Sequence, residues 1–185
     1  FYYKPRIDSE LLRQYSKGLI ALSGCLSGRV SRAIETGDNE KANRFVEEYI
    51  DIFGRENFFL EMTDFGISKQ KEINRKLFEL AQKHKIGIVA TNDVHYLKKE
   101  DFKYHFLLLC IQSGLTLGDF RKYTNDFSSF QSLDDLIKSI IQKLAEYEYE
   151  RKEIDNGTSD KSGFFPRTME YYFKNYSEMS ENFKD

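Results

Sequence analysis

Residues 86–95 read IGIVATNDVH. The short apolar run from Ile86 to Ala90 is bounded by polar residues and reads as a strand. It runs out into Asp93-Val94-His95. In extended backbone, residues two apart project to the same side, so this carboxylate and imidazole converge on one point. α/β folds gather their sites just beyond the C-terminal ends of parallel strands. A carboxylate with an imidazole is a mixed donor set suited to Zn²⁺, Mn²⁺ or Fe. The blander reading is a turn in which Asp93 caps the next element and His95 lies on the surface. D-x-H is too short a motif to choose between the two.

The segments around this strand supply its context. Upstream, Ile73, Leu77, Leu80 and Ala81 mark an amphipathic helix running to about His84, and Phe58 to Met62 is a second strand. Ala42, Phe45, Val46, Tyr49, Ile50 and Phe53 form one helical stripe, with Gly54 as its stop. Leu19 to Leu22, halted by Ser23-Gly24, reads as a buried strand, and Leu11, Leu12 and Tyr15 as a short helix ending near Gly18. Pro5 forces Lys4 toward extended geometry. Downstream, a helix from near Asp101 carries Phe106 to Ile111. Strand and helix alternate as in βα units, so the fold class is α/β with a mostly parallel sheet.

Beyond Gly114 the alternation stops. Leu133, Leu136, Ile137, Ile140, Ile141 and Leu144 make one amphipathic helix, and the polar stretch from Lys152 to Gly163 has no periodicity and reads as a loop. The closing residues from Phe164 read as a strand and the start of a helix. Three strands do not close a barrel, so the expectation is part of an α/β domain.

Length and charge narrow the function classes. A chain of 185 residues needs no metal or disulfide staple to fold. Lys+Arg 28 against Asp+Glu 30 gives a net charge of −2, which argues against a dedicated nucleic-acid clamp but leaves room for a module of a larger DNA enzyme. Two cysteines, Cys25 and Cys110, fit a reduced cytoplasmic protein. No apolar run approaches a membrane span and no secretory leader is visible, so membrane and secreted readings are set aside. The first residue is Phe1 rather than Met, the mark expected of a processed or partial product.

Other chemistry-bearing residues have bland readings beside functional ones. Cys25, in Ser23-Gly24-Cys25-Leu26-Ser27-Gly28, follows a predicted strand, and flanking glycines allow close backbone approach. A thiolate there is a good metal ligand, but a small buried hydrophobe is the commoner role of such a cysteine. Cys110 and His105 read as packing residues, and His84 as a complement to its helix dipole. Glu61 and Asp64 follow the second strand, as outer-shell carboxylates or simply solvated charges.

Taken together, FYYKPRID, GLIALSGCLSG, TGDNEKA, TNDVHYL and LLLCIQSG with Leu115-Thr116-Leu117 resemble the PHP domain of bacterial replicative C-family polymerases, the DNA polymerase III alpha subunits. Order and spacing agree over residues 1–124. Residues 125–168 stand apart as an insertion or divergent loop with one amphipathic helix, and 169–185 return to the PHP-like pattern through YYFKNYSEM. The resemblance implies part of a distorted (βα)7 barrel with metal ligands at the C-terminal ends of its strands. It matches Cys25, Asp93 and His95 to ligand positions for divalent ions (Zn, Mn or Mg). It further implies nucleotidyl transfer by the parent polymerase, with a PHP domain acting as a metal-dependent 3′–5′ exonuclease. The implied partners are DNA through the parent polymerase, the sliding clamp and a proofreading subunit, with no membrane. Two departures limit it. The family's paired H-x-H precedes the region covered, none of the three histidines here replaces it, and Phe65 stands where many relatives carry histidine. An incomplete cluster is therefore expected. The alternatives are an inactive structural domain supporting the polymerase and a free-standing PHP phosphoesterase.

Overall fold

The computed structural model describes residues 6–124, 127–150 and 168–184. The chain divides into two compact units, Phe1–Asp93 and Val94–Asp185.

In the first unit, the Asp8 carboxylate accepts from the Leu11 amide at 2.9 Å and starts helix α1, Ser9–Tyr15. Strand β1 is only Ala21–Leu22. Helix α2, Arg29–Glu35, follows, then α3, Asn39–Phe53, capped by the Asp38 side chain at Lys41 N. Gly54 ends α3 with φ +83, a backbone conformation that glycine takes without a Cβ penalty. Strand β2, Phe58–Met62, helix α4, Ser68–His84, and strand β3, Gly87–Ala90, complete the unit. The three strands lie in the order β1-β2-β3, all parallel, with Leu22 opposite Phe59 and Met62 opposite Ala90. The predicted βα rhythm and parallel sheet are thus present.

Period-2 alternation in β2 sends Phe58 and Leu60 to one face, where both are buried against α2, α3 and α4. Those helices supply Val30 and Ile34, Ala42 and Val46, and Ile73 and Leu77 to the same core. The apolar stripes read from 42–53 and 73–81 are therefore core faces.

Two readings need correction. The run from Leu19 to Leu22 is not a buried strand: Leu19 is 49%, Ile20 71% and Leu22 45% exposed, and only two residues pair. An edge position explains it, because among the described residues β1 has a neighbour on one side only. Helix α2 escaped the sequence reading because its seven residues fall below the window in which periodicity is measurable. Its Val30, Ala33 and Ile34 nonetheless keep the i, i+3, i+4 spacing.

His84 also departs from expectation. It is buried, and its Nε2–H donates to Asn43 Oδ1 at 2.8 Å; the same oxygen accepts from Lys83 Nζ at 2.6 Å. Burial, then the Lys83 and Arg55 charges, lower its pKa below 6.5 against the opposing pull of Glu47, so the neutral ring is favoured rather than a dipole-complementing cation. The sign follows from proton binding. With the folded pKa below the unfolded one, the unfolded chain takes up the proton first. Stability is complete above about pH 6.5 and declines as pH falls through that value toward the folded pKa. His84→Gln should flatten the change in urea midpoint between about pH 7 and about pH 5. An identical pH slope in the variant would exclude His84 as its source.

In the second unit, a 3-10 turn at Lys99–Asp101 leads into helix α5, Phe102–Ser113, which Gly114 closes in the left-handed region. A longer 3-10 segment, Leu117–Tyr123, begins with a reciprocal cap between Thr116 and Asp119. Helix α6, Leu133–Glu150, is the amphipathic helix expected from the sequence. Phe102, Phe106 and Cys110 of α5 share a core with Phe120 and with Ile137, Ile140 and Leu144 of α6. Lys103 Nζ and Asp134 Oδ1 bridge the two helices at 3.0 Å. Helix α7, Tyr176–Asn182, starts at a capping box between Asn175 and Glu178. The strand expected before it reduces to a single parallel bridge, Tyr96 to Tyr172. The loop expected at 152–163 lies outside the described residues. Among the described residues, no helix is long and apolar enough to cross a membrane.

Candidate metal centre

Parallel pairing sends the loops after β1, β2 and β3 out of one end of the sheet, and that end carries the first unit's polar chemistry. After β1, the Ser23 hydroxyl accepts from the Glu61 amide at 2.8 Å and the Ser23 amide donates to Phe59 O at 3.0 Å. After β3, the Thr91 amide donates to Met62 O at 3.0 Å and its hydroxyl donates to the Glu61 carboxylate. Behind the exit of β2, the buried Asn74 donates to Thr63 O at 2.9 Å and accepts from the Gln70 amide at 3.1 Å. Asp64 turns its carboxylate back onto the Gly66 amide at 2.7 Å. Glu61 and Asp64 are therefore engaged in shaping the loops rather than simply solvated.

Cys25 is half-buried in the first of these loops. Its carbonyl accepts from the Gly28 amide at 2.8 Å, closing a four-residue turn that presses onto the end of β1. Asp93 sits three residues beyond β3 with φ +44, in the left-handed region that Asp tolerates better than most residues. This changes the premise of the D-x-H reading, because the backbone turns at Asp93 instead of continuing extended. Cys25 and Asp93 thus belong to loops at the same end of one sheet.

His95 belongs to the second unit. Its amide donates to Tyr171 O at 2.8 Å, and its ring stands edge-on to Tyr171 at 4.7 Å between centroids. It also meets His105 of α5, edge-on at 5.3 Å. Burial, then the His95 charge, lower the His105 pKa and favour a neutral ring. The sequence alone suggests only packing for His105. No sequence motif links positions ten apart across a loop and a 3-10 turn, so only the fold shows the pair.

Cys110 lies in the core of the second unit, with its thiol pushed up to about 11 by burial and then by Asp119. That matches the packing role expected of it. Phe65 is buried as well.

A thiolate, a carboxylate and an imidazole are donors that Zn²⁺ accepts together, so the chemistry of Cys25, Asp93 and His95 fits a divalent ion. Among the described residues, no group of three or more His, Cys, Asp or Glu side chains is gathered closely enough to hold one.

Comparison with known proteins bears on the PHP resemblance of the sequence. The PHP domain model matches residues 1–65. The DNA polymerase III subunit alpha of Thermus aquaticus is 47% identical over 119 residues, covering 64% of this chain and 10% of that protein. The Deinococcus radiodurans subunit is 45% identical over 123 residues, 66% of this chain and 9% of that protein. The Saccharopolyspora erythraea subunit is 35% identical over 171 residues, 92% of this chain and 14% of that protein. The chain spans about a tenth of the length of these curated relatives. Its residues 1–65 are similar to the PHP domain, and 64–92% of the chain is similar to one segment of the DNA polymerase III alpha subunits.

Proposed function

We propose that the chain serves as the PHP segment of a replicative polymerase alpha subunit. In this reading it forms part of a distorted (βα)7 barrel and acts in the cytoplasm. The parent protein extends DNA by nucleotidyl transfer and meets the sliding clamp and a proofreading subunit. The observation that carries the reading is the 47% identity to the Thermus aquaticus subunit over 119 residues.

Within that segment, Cys25, Asp93 and His95 are assigned as donors to a divalent ion, Zn²⁺, Mn²⁺ or Mg²⁺. The chemistry such an ion supplies is a water of lowered pKa and charge stabilisation at a leaving oxygen, the requirements of a 3′–5′ exonuclease. Around it the chain's own residues hold the loops: Ser23 and Thr91 fix Glu61, and Asn74 fixes the exit of β2. Metal content of the purified chain tests the assignment. Cys25→Ser, Asp93→Ala and His95→Ala should each lower bound metal per chain, measured by mass spectrometry of the elements after gel filtration. Three variants with the metal content of the parent chain would overturn it. Sequencing the flanking coding DNA tests the polymerase reading, which requires an H-x-H block upstream and a polymerase region downstream.

A second reading, an inactive domain that buttresses the polymerase, draws on the absence of a gathered three-donor group among the described residues. It predicts no bound metal and no nuclease activity in the complete protein.

A further inference from the structure

Within the second unit, residues 168–184 lie against the loop that carries His95. Among the described residues of this segment, Lys174 alone is buried; Met169 packs partly buried against the core of α5 and α6, and α7 buries no side chain. A segment without a fully buried apolar anchor is held by its polar ties, and such segments open at lower cost than a packed core. We propose that residues 170–174 form a latch, pinned by Lys174 and Glu170, that opens and closes on the His95–Leu97 loop while the helical core of the second unit stays folded.

The ties are of two kinds. Backbone bonds join the segment to the loop: the His95 amide donates to Tyr171 O at 2.8 Å and the Phe173 amide to Tyr96 O at 3.1 Å, around the single bridge from Tyr96 to Tyr172. One bridge is too little pairing to hold a strand by itself. The second kind is ionic. The Glu170 carboxylate is divided between two lysines, with Oε1 2.7 Å from Lys99 Nζ and Oε2 3.7 Å from Lys174 Nζ. Lys174 also donates to the Glu170 carbonyl, and its ammonium stands 4.5 Å from the centre of the Tyr172 ring. Lys174 thus curls 170–174 into the shape that offers Tyr171 O and the Phe173 amide to the loop, and Glu170 fastens that shape to the turn at Lys99. The Lys174 side chain is only 2% exposed. An ammonium so deeply buried keeps its place only while its acceptors stay within reach. Once Glu170 moves away, the charge is drawn to water and the curl is lost, so the latch has two states rather than a continuum. It operates without a bound ion, and its bearing on the functional reading above runs only through His95, whose amide it releases on opening.

The test is amide hydrogen exchange of the full 185-residue chain, read residue by residue by NMR without added metal. The His95 and Phe173 amides report the latch, and the Ile140 and Ile141 amides of α6 report the core. In the parent chain the latch pair is expected to exchange at least about tenfold faster than the α6 pair. Lys174→Met keeps the apolar stem and removes the ammonium, while Lys99 still pairs with Glu170; Glu170→Gln keeps the shape and removes the carboxylate charge. Each variant is expected to speed the latch pair by a further tenfold or so and to leave the α6 pair unchanged. Latch amides as slow as those of α6 in the parent would overturn the proposal, since the segment would then open only with the whole unit. Equal acceleration of both pairs in the two variants would overturn it as well, making Lys174 and Glu170 contributors to global stability. Unchanged exchange in both variants would show that the backbone bonds hold the segment without them. None of these outcomes touches the metal assignment, which metal content tests separately.

Discussion

Phe106→Ala should destabilise the second unit by about 3–5 kcal/mol, the range for deleting a large buried aromatic side chain. Phe106 is fully buried, its ring lies 5.2 Å from that of Phe120, and it joins Ile137, Ile140 and Leu144 in one core. The side chain occupies the contact between α5 and α6, which the partly exposed bridge from Lys103 to Asp134 also joins. A part-exposed pair of that kind contributes at most about 1 kcal/mol, so it cannot compensate for the cavity. Domain stabilities run about 5–15 kcal/mol, so the substitution removes a large share of the total. The check is urea unfolding followed by far-UV circular dichroism. A loss under about 1 kcal/mol would show that α5 and α6 repack around the void or do not meet through this ring.

The same core shows what was readable from sequence. Leu136, Ile137, Ile140, Ile141 and Leu144 repeat at helical spacing over a long stretch, and all five are buried in α6. Long periodic elements carry enough apolar positions for the period to declare itself, as α3 and α4 also do. Short elements do not. Seven residues hid α2, and the exposed edge position of β1 could not be read from an apolar run that looked like an interior strand. The site divides along the same line. Cys25 and Asp93 follow strands, and strands were legible, so their placement at one end of the sheet could be anticipated. The left-handed backbone at Asp93 and the approach of His105 to His95 depend on loop path and on the course of α5, which no local pattern encodes. His84 shows a third limit: its helix-end position was visible, but the burial and the Asn43 contact that set its charge come from packing between α3 and α4.

Gly28→Ala should cost the first unit about 3 kcal/mol, at the upper end for forcing an extra methyl into packed surroundings. A Cβ built there falls well inside contact distance of the Ser23 carbonyl oxygen and 3.0 Å from the Cys25 carbonyl oxygen. Both are backbone atoms, so no side chain can swing aside to relieve the clash. Relief requires moving the Cys25–Gly28 turn or the Ser23 end of β1. Either movement disturbs the lacing that joins Ser23 to Glu61 and Phe59. The position also immediately precedes α2, whose Val30 and Ile34 anchor the core, so the helix cannot retreat without exposing them. Two measurements separate the causes. A lowered urea midpoint reports the clash, and a faster reaction of the Cys25 thiol with a maleimide below that midpoint reports the opened turn. Gly37→Ala is the control: nothing lies within 4 Å of its Cβ position, so its cost comes from its φ of +78 alone and should leave Cys25 reactivity unchanged. Gly28 itself has φ −64 and carries no left-handed strain, so an unchanged urea midpoint in Gly28→Ala, with no change at Cys25, would mean that the turn gives way without cost and does not press on β1.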